Sequence, residues 1–429
     1  MSLRLSATTL LDEVQHGGSL NALFEAAQNT VDESDRAFFK ELVYGSLRLW
    51  PMYKGITRQL LEKPLKSKDS ALEALLILAL YELDECSTPS YASVSAAVDV
   101  CSQLKRAWAA KLINACLRRY QREKENLLQR LGDSERAALP GWLYKVLNKH
   151  YSDQLESLSE AGRHKPPLTL RVNSQKSSRD DYLQQLANLG IDAEPAGAFG
   201  LTLRSALPVS SIPSFSEGIV SVQDESAQLA GAFVAGSLAG ATEGLRTLDV
   251  CSAPGGKACH LAELGAAVTA MDVSATRLAR VEENAKRLGL SIETFVGDGR
   301  DLGNVAEIDD FDLVLLDVPC SATGVMRRNP DVKVIRLKSD ISRFNELQRA
   351  LLESAWQRVR PQGKLLYVTC SLLPEENEDM VSNFLAVTTD ARAIPLSEPI
   401  GYEKKVGRQV LPSVGGGDGL YYCMLEKVV

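Results

Sequence analysis

Two cysteines stand where apolar runs give way to short polar turns. The run Phe311-Asp-Leu-Val-Leu-Leu ends at Asp317, and Val318-Pro-Cys-Ser-Ala-Thr-Gly324 follows, so Cys320 comes shortly after an acid. The run 363–369 ends at Thr369, and Cys370 and Ser371 follow it. A thiol attacks as its thiolate, so it needs a neighbouring base or a lowered pKa. A single Cys at a strand end is most often an inert small core residue. Two of them in Pro- or Ser-flanked turns point instead to one pocket shared by Cys320, Cys370 and Asp317, although 50 positions separate the thiols.

A second constellation precedes these. Thr247-Leu-Asp-Val-Cys-Ser-Ala-Pro-Gly-Gly-Lys257 reads as a buried strand, a sharp turn and a helix start. Such a unit seats nucleotide-like ligands in open α/β sheets. Its small residues let the backbone approach a ligand, and the helix N-terminus offers free amides and a partial positive charge. Asp272 lies 23 positions past Asp249, a spacing that suits a carboxylate on ribose hydroxyls. An Asp capping the next helix is the plainer alternative. Asp298, between Gly297 and Gly299, either accepts from an adenine amino group or closes an Asx-turn.

From about residue 220 strand and helix alternate. Strands are expected at 247–251, 267–271, 292–296, 311–317 and 364–369, and helices at 224–234, 258–264, 275–288, 340–359 and 375–386. That order predicts a doubly wound, mainly parallel, Rossmann-like sheet over 220–429, with ligands outside the carboxyl ends of its strands. The stretch 419–427 should insert antiparallel. Residues 141–219 read as a small α/β (RRM-like) module, with strands near 167–173, 201–204 and 218–222 and a helix at 180–189. Arg171 on its first strand either holds a phosphate or forms an ordinary surface ion pair. Residues 1–140 read as all-α, punctuated by Pro51, Pro64, Pro89 and Pro140.

A chain of 429 residues, 45% hydrophobic and 24% charged, has room for two or three domains. No apolar run reaches the ~18 residues of a membrane span, and no secretory signal precedes the first helix, so a cytoplasmic protein is expected. The eight Cys and four His show neither disulfide nor zinc spacing, so no metal site is expected. Net charge is −7, yet 101–130 holds eight Lys/Arg against two Glu. Further basic stretches include Arg163 to Arg179 and Arg327, Arg328, Lys333, Arg336 and Lys338. Their clustering points to a polyanionic substrate; solvated helix faces are the alternative.

Residues 220–429 resemble the RNA cytosine-C5 methyltransferase family. The matching stretches occur in order: Cys251-Ser-Ala-Pro-Gly-Gly-Lys257, Asp272, Gly297-Asp-Gly299, Asp317-Val-Pro-Cys-Ser-Ala-Thr-Gly324, Thr369-Cys-Ser371 with Pro374-Glu-Glu-Asn377, and Gly417-Asp-Gly419. Asp35-Arg-Ala-Phe-Phe-Lys-Glu-Leu-Val-Tyr-Gly-Ser-Leu-Arg48 resembles the helical signature of NusB-type RNA-binding domains. As a whole the chain is similar to bacterial 16S ribosomal RNA cytosine-C5 methyltransferases. Departures are Ser252, where Ala is commoner, and Asn329, where His is common.

The resemblance implies a class I methyltransferase fold, S-adenosyl-L-methionine as methyl donor and 16S ribosomal RNA as partner, with a monomer expected. Cys370 would attack C6 of the base and Cys320 would assist product release. The DNA enzymes use the Pro-Cys thiol instead, which would name Cys320 as nucleophile. Asp317, if protonated, would hydrogen-bond the ring at N3, and it would lie near the donor's amino group. Cys251, Ser252, Ala253, Pro254, Gly255, Gly256 and Lys257 would hold the methionine portion, Lys257 facing its carboxylate. Asp272 would take the ribose and Asp298 the adenine. Arg171, Arg327 and Arg328 are the candidate RNA contacts.

Three other readings compete. A transfer-RNA cytosine-C5 methyltransferase would share the catalytic domain, but the NusB-like front end favours ribosomal RNA. A nicotinamide-dependent dehydrogenase would carry Gly-x-Gly-x-x-Gly in place of Ser-Ala-Pro-Gly-Gly-Lys. A non-catalytic RNA-binding or antitermination factor leaves the last 200 or so residues without a purpose.

Overall fold

The computed structural model describes residues 2–238, 242–304, 310–397 and 399–428. A helical unit comprises residues 1–165 together with 326–338. Helix Ser70–Glu85 is apolar on nearly every side, so it is enclosed by neighbours. Helices Leu3–Gln15, Arg36–Arg48, Trp50–Leu60 and Ser90–Gln103 pack around it. The basic stretch after residue 100 falls mainly on Ala110–Gln129, which buries Ile113, Cys116, Leu117 and Tyr120 and turns its cations outward.

Helices Gly141–His150 and Leu155–Arg163, which follow the boundary expected at 140, pack in this unit. Leu143, Leu147 and Leu158 recur at helical spacing on buried faces, which anchors the segment.

The second unit comprises 166–325 and 339–429. Its small sheet holds β1 Leu168–Val172, β2 Ala193–Ala196, β3 Gly200–Leu203 and β4 Val220–Val222, antiparallel in the order β2-β3-β1-β4. Helix Arg179–Asn188 starts at Ser178, whose hydroxyl accepts from the Asp181 amide. Tyr182 and Leu186 of this helix share a core with Leu170, Val172, Leu201 and Val220. The expected limit at 219 falls just short of β4. Strand β2 escaped the sequence reading because Pro195 lies in it; a proline is tolerated there because β2 is an edge strand.

The large sheet holds β5 Arg246–Val250, β6 Ala267–Asp272, β7 Ile292–Val296, β8 Phe311–Asp317, β9 Val359–Thr369, β10 Ala391–Ile394, β11 Tyr402–Glu403, β12 Arg408–Val410 and β13 Leu420–Lys427. The order is β11-β12-β13-β9-β8-β5-β6-β7, with β10 also on β13. Strands β5 to β9 run parallel, and β13 lies antiparallel on β9. Leu248, Val250, Leu313, Val314, Leu315 and Leu316 are fully enclosed, the continuous apolar signature of strands covered on both faces. Chain order reverses between β5 and β8, which is where an open sheet leaves a crevice beyond its strand ends.

Candidate active site

A cavity of about 470 Å³ opens at that crevice. Every central strand delivers residues to it: Cys251 after β5, Asp272 at the end of β6, Asp298 after β7, Asp317 at the end of β8 and Cys370 after β9. Cys320, from the turn after Asp317, completes its edge. The two sulfurs lie 3.3 Å apart, and both residues are half-buried. Fifty positions of chain separation are closed because β8 and β9 are adjacent and in parallel register, Asp317 beside Val368.

The thiol turns are fixed by a buried polar network. The Glu376 carboxylate accepts from the Ser321 amide at 2.8 Å, from the Ser321 and Ser371 hydroxyls and from Gln348 Nε2 at 3.0 Å. The Leu372 amide donates to Thr323 Oγ1 at 2.9 Å. Asn377 Nδ2 donates to the Ser371 carbonyl at 2.9 Å. The Gly324 amide donates to the Cys370 carbonyl at 2.9 Å, and the Gly419 amide to the Gly324 carbonyl at 2.9 Å. A Cβ on Gly324 would meet Gly419 O at 2.0 Å, so no larger residue fits this crossing. The Gly417-Asp-Gly419 stretch thus belongs to the scaffold of the Cys320 turn. Ala322 and Cys251 hold φ of 59 and 62 degrees. These are left-handed values that non-glycine residues adopt at a cost and that recur at functional sites.

The neighbouring sulfur and burial act on Cys320. Cys320 sits well above the usual thiol range because its sulfur hydrogen-bonds the Cys370 sulfur, with burial and nearby negative charge acting the same way. Cys320 therefore carries its proton near neutral pH. Asp249, buried under the glycine turn, accepts from Ser252 Oγ at 2.7 Å and is pushed up to about 7, chiefly by burial. Lys257 donates to Asp317 Oδ2 at 2.5 Å. Burial works against its charge, but the Asp317 carboxylate outweighs that and holds Lys257 above the usual lysine range.

The glycine turn contributes less directly than expected. Of 251–257, only Cys251 and Ala253 border the cavity. Ser252 faces Asp249, and Lys257 faces Asp317 where a donor carboxylate was expected. Pro254, Gly255 and Gly256 shape the turn into helix Gly256–Glu263. Gly255 is left-handed, and a Cβ there would come 2.9 Å from Val281 Cγ1. Asp272 is buried, accepting from the Ala253 amide at 3.3 Å and the Ser274 amide at 3.0 Å. Ser274 caps the next helix, so Asp272 is not needed as its cap. Asp298 is half-buried and paired with Arg300, which also borders the cavity.

Two expected RNA contacts are corrected. Arg171 is fully buried: Nε and Nη2 form a bidentate pair with Glu263 at 2.8 and 2.7 Å, and Nη1 donates to the Gly256 carbonyl at 2.7 Å. It clamps the helix that follows the glycine turn. Arg327 is 1% exposed, and its carbonyl accepts from Arg48 Nε at 2.9 Å. It lies in 326–338, which packs into the helical unit. There Asp331 accepts from the Leu20 amide at 3.0 Å, and buried Lys333 donates to the Arg48 and Gly162 carbonyls at 2.7 and 2.9 Å. Arg328 is half-buried. Glu376, Ser321, Ser371 and Thr323 are not among the site residues expected from sequence, although the matching stretches 317–324, 369–371 and 374–377 contain them.

Among the described residues no His/Cys/Asp/Glu cluster could hold a metal ion, and no helix is long and apolar enough to cross a membrane. Residues 238–426 match the model of the "16S rRNA methyltransferase RsmB/F" family, 1–122 the NusB family, and 139–210 a ferredoxin-like domain of RsmF/B-like methyltransferases. The "Ribosomal RNA small subunit methyltransferase B" of Pseudomonas putida is 42% identical over 100% of this chain and 99% of its own. That of Vibrio cholerae is 40% identical over 100% and 98%. A "methyltransferase homolog protein" from Pyrococcus horikoshii, 27% identical, aligns over 70% of this chain and 97% of its own at TM-score 0.58. The crystal structure of PH0851, 22% identical, shares the fold over 99% of both chains at TM-score 0.78.

Proposed function

The chain belongs to the 16S rRNA methyltransferase RsmB/F family, and on that footing we propose that it methylates C5 of a cytosine in 16S rRNA, with S-adenosyl-L-methionine as donor and a transient Cys370–C6 bond. The observation that carries this reading is the 3.3 Å approach of two thiols at the edge of a cavity lined by acids.

When bound, S-adenosyl-L-methionine supplies an electrophilic methyl group on a sulfonium. The cavity suits such a molecule. Its volume is in the range of small-molecule sites, roughly 300–1,000 Å³. Asp272, Asp298 and Asp317 match a cationic ligand rich in hydroxyl and amino donors, and Val273, Leu347 and Leu351 offer apolar wall for a purine. We assign Asp272 to the ribose, Asp298 to the adenine and Asp317 to the region between donor and base. Asp298 must exchange its Arg300 partner to do so.

Cytosine C5 is a weak nucleophile. Addition of the Cys370 thiolate to C6 breaks the C5–C6 double bond and moves its electron pair to C5, which can then accept a methyl group. Asp317, once protonated and released from Lys257, would donate a hydrogen bond to N3 and stabilise the charge that develops on the ring. The Cys320 thiol, 3.3 Å away, can hand its proton to the departing Cys370 sulfur and take up the C5 proton in its place, so that the C5–H electron pair re-forms the double bond as the C6–S bond breaks. The target base must first be unstacked to reach the cavity. A ribosomal RNA substrate also means work in the cytoplasm, where subunits are built.

The test is transfer of labelled methyl from the donor to 16S rRNA by the full-length chain, followed by bisulfite mapping. The reading expects label at C5 of a cytosine, and loss of that mark in cells lacking the protein. Label on another atom, or on transfer RNA alone, contradicts it.

A further inference from the structure

The helical unit carries a surface groove of about 490 Å³ that none of the chemistry above uses. Trp108, on the single helical turn Ala107–Ala109, lines it with 59% of its surface exposed. Around it stand Lys66, Lys68 and Lys105, all exposed, and none of them is in an ion pair among the described residues. The one acid in the groove wall, Asp69, is buried and neutralised. Arg106 Nε donates to it at 2.7 Å, and Arg106 Nη2 donates to the Lys68 carbonyl at 3.0 Å. Arg106 thus ties the loop before helix Ser70–Glu85 to the turn before Trp108. The brace leaves a locally cationic surface on a chain whose net charge is −7.

Two features speak against an incidental surface. A tryptophan left mostly in water gives up the burial that its large apolar area would otherwise gain. Lys105 holds a φ of 58 degrees. That is a left-handed conformation which glycine would take more readily than lysine. A flat aromatic face ringed by unpaired lysines is the usual chemistry for holding unpaired nucleotides: bases stack on the ring and phosphates meet the ammonium groups. Water-exposed cations do not favour an apolar protein partner in the same way.

We propose that this groove docks a single-stranded segment of the RNA substrate, with one base stacked on Trp108 and phosphates along Lys66, Lys68 and Lys105. The proposal rests on RNA being the substrate and adds a contact carried by the helical unit. The full-length protein is titrated against a fluorescent 16S rRNA transcript over a range of salt concentrations. Trp108→Ala should weaken binding about 10-fold, in line with loss of one stacked base. Trp108→Phe should recover most of it. Lys66→Glu with Lys68→Glu should weaken binding and flatten its salt dependence. Methyl transfer measured in parallel should show a raised KM for RNA with kcat kept at saturating RNA.

Affinity within about twofold of wild type in both the Trp108→Ala and the double Lys variants overturns the proposal, even if those variants lose affinity for a ribosomal protein. If wild type methylates rRNA while the variants bind it normally, the groove assignment fails and the proposed function stands. If wild type transfers no methyl group yet the variants lose RNA affinity, the function fails and the groove stands. Trp108 is exposed, so unchanged thermal midpoints are expected; equal loss of binding by Trp108→Phe and Trp108→Ala contradicts stacking.

Discussion

Ser321 and Ser371, the residues that follow the two thiols, both donate their hydroxyls to Oε2 of one buried carboxylate, Glu376. The two turns are therefore positioned from a single point. Glu376→Gln keeps the shape but replaces one acceptor with a donor facing hydrogens. It should lower kcat by about 10²-fold, the scale expected when reacting groups shift by an ångström. The KM for the methyl donor should change little, because Glu376 does not border the cavity. Steady-state kinetics with each substrate varied would separate the two, and a pure KM effect would contradict the positioning role.

Arg171 and Glu263 form a fully buried bidentate pair. Arg171→Ala strands the Glu263 charge and should cost about 3–5 kcal/mol in urea unfolding. Arg171→Met with Glu263→Leu should recover much of that, because an apolar pair leaves no charge unpaired. RNA affinity per folded molecule should stay unchanged in both, since the guanidinium has no access to solvent.

Asp272 joins the Ala253 amide of the glycine turn to the Ser274 amide after β6 and borders the cavity. Asp272→Asn should weaken S-adenosyl-L-methionine binding by about 10- to 100-fold, the scale of a lost hydrogen bond to a charged group. The ligand-induced rise in thermal midpoint reads this directly. An undiminished rise would remove Asp272 from the ribose site.

Lys333 is pushed down to about 7, first by burial and then by Arg163 and Arg48. Its ordinary value is 10.5. Between these two pH values the unfolded chain holds a proton that the native chain has shed. This group's contribution to stability therefore rises with pH across that window, by about 1.4 kcal/mol per unit at most. Lys333→Met should gain on wild type at pH 7 and lose that advantage towards pH 10. Urea midpoints at several pH values test it; a constant difference would show that Lys333 does not titrate there.

The catalytic sheet was legible in the sequence because its strands are buried on both faces and read as unbroken apolar runs. Strand β8 and helix Ala275–Leu288 fall at the expected residues, and the antiparallel entry of β13 was anticipated. The short strands β10, β11 and β12 lack such runs. The convergence of Cys320, Cys370 and Asp317 follows from strand adjacency, which alternation implies. What the sequence did not disclose is where a charge points. Arg171 and Arg327 look like phosphate ligands among the basic residues, yet each is enclosed by partners distant in the chain. Nor does sequence show that 326–338 leaves one unit to complete the core of the other.

The most direct measurement is adduct trapping. Each Cys→Ala variant is incubated with 16S rRNA and S-adenosyl-L-methionine, denatured, and resolved for protein covalently joined to RNA. With Cys370 forming the bond to C6 and Cys320 releasing it, Cys320→Ala should accumulate a denaturant-resistant complex and Cys370→Ala none. A complex in Cys370→Ala that Cys320→Ala fails to form would assign the nucleophile to the other sulfur and contradict the account.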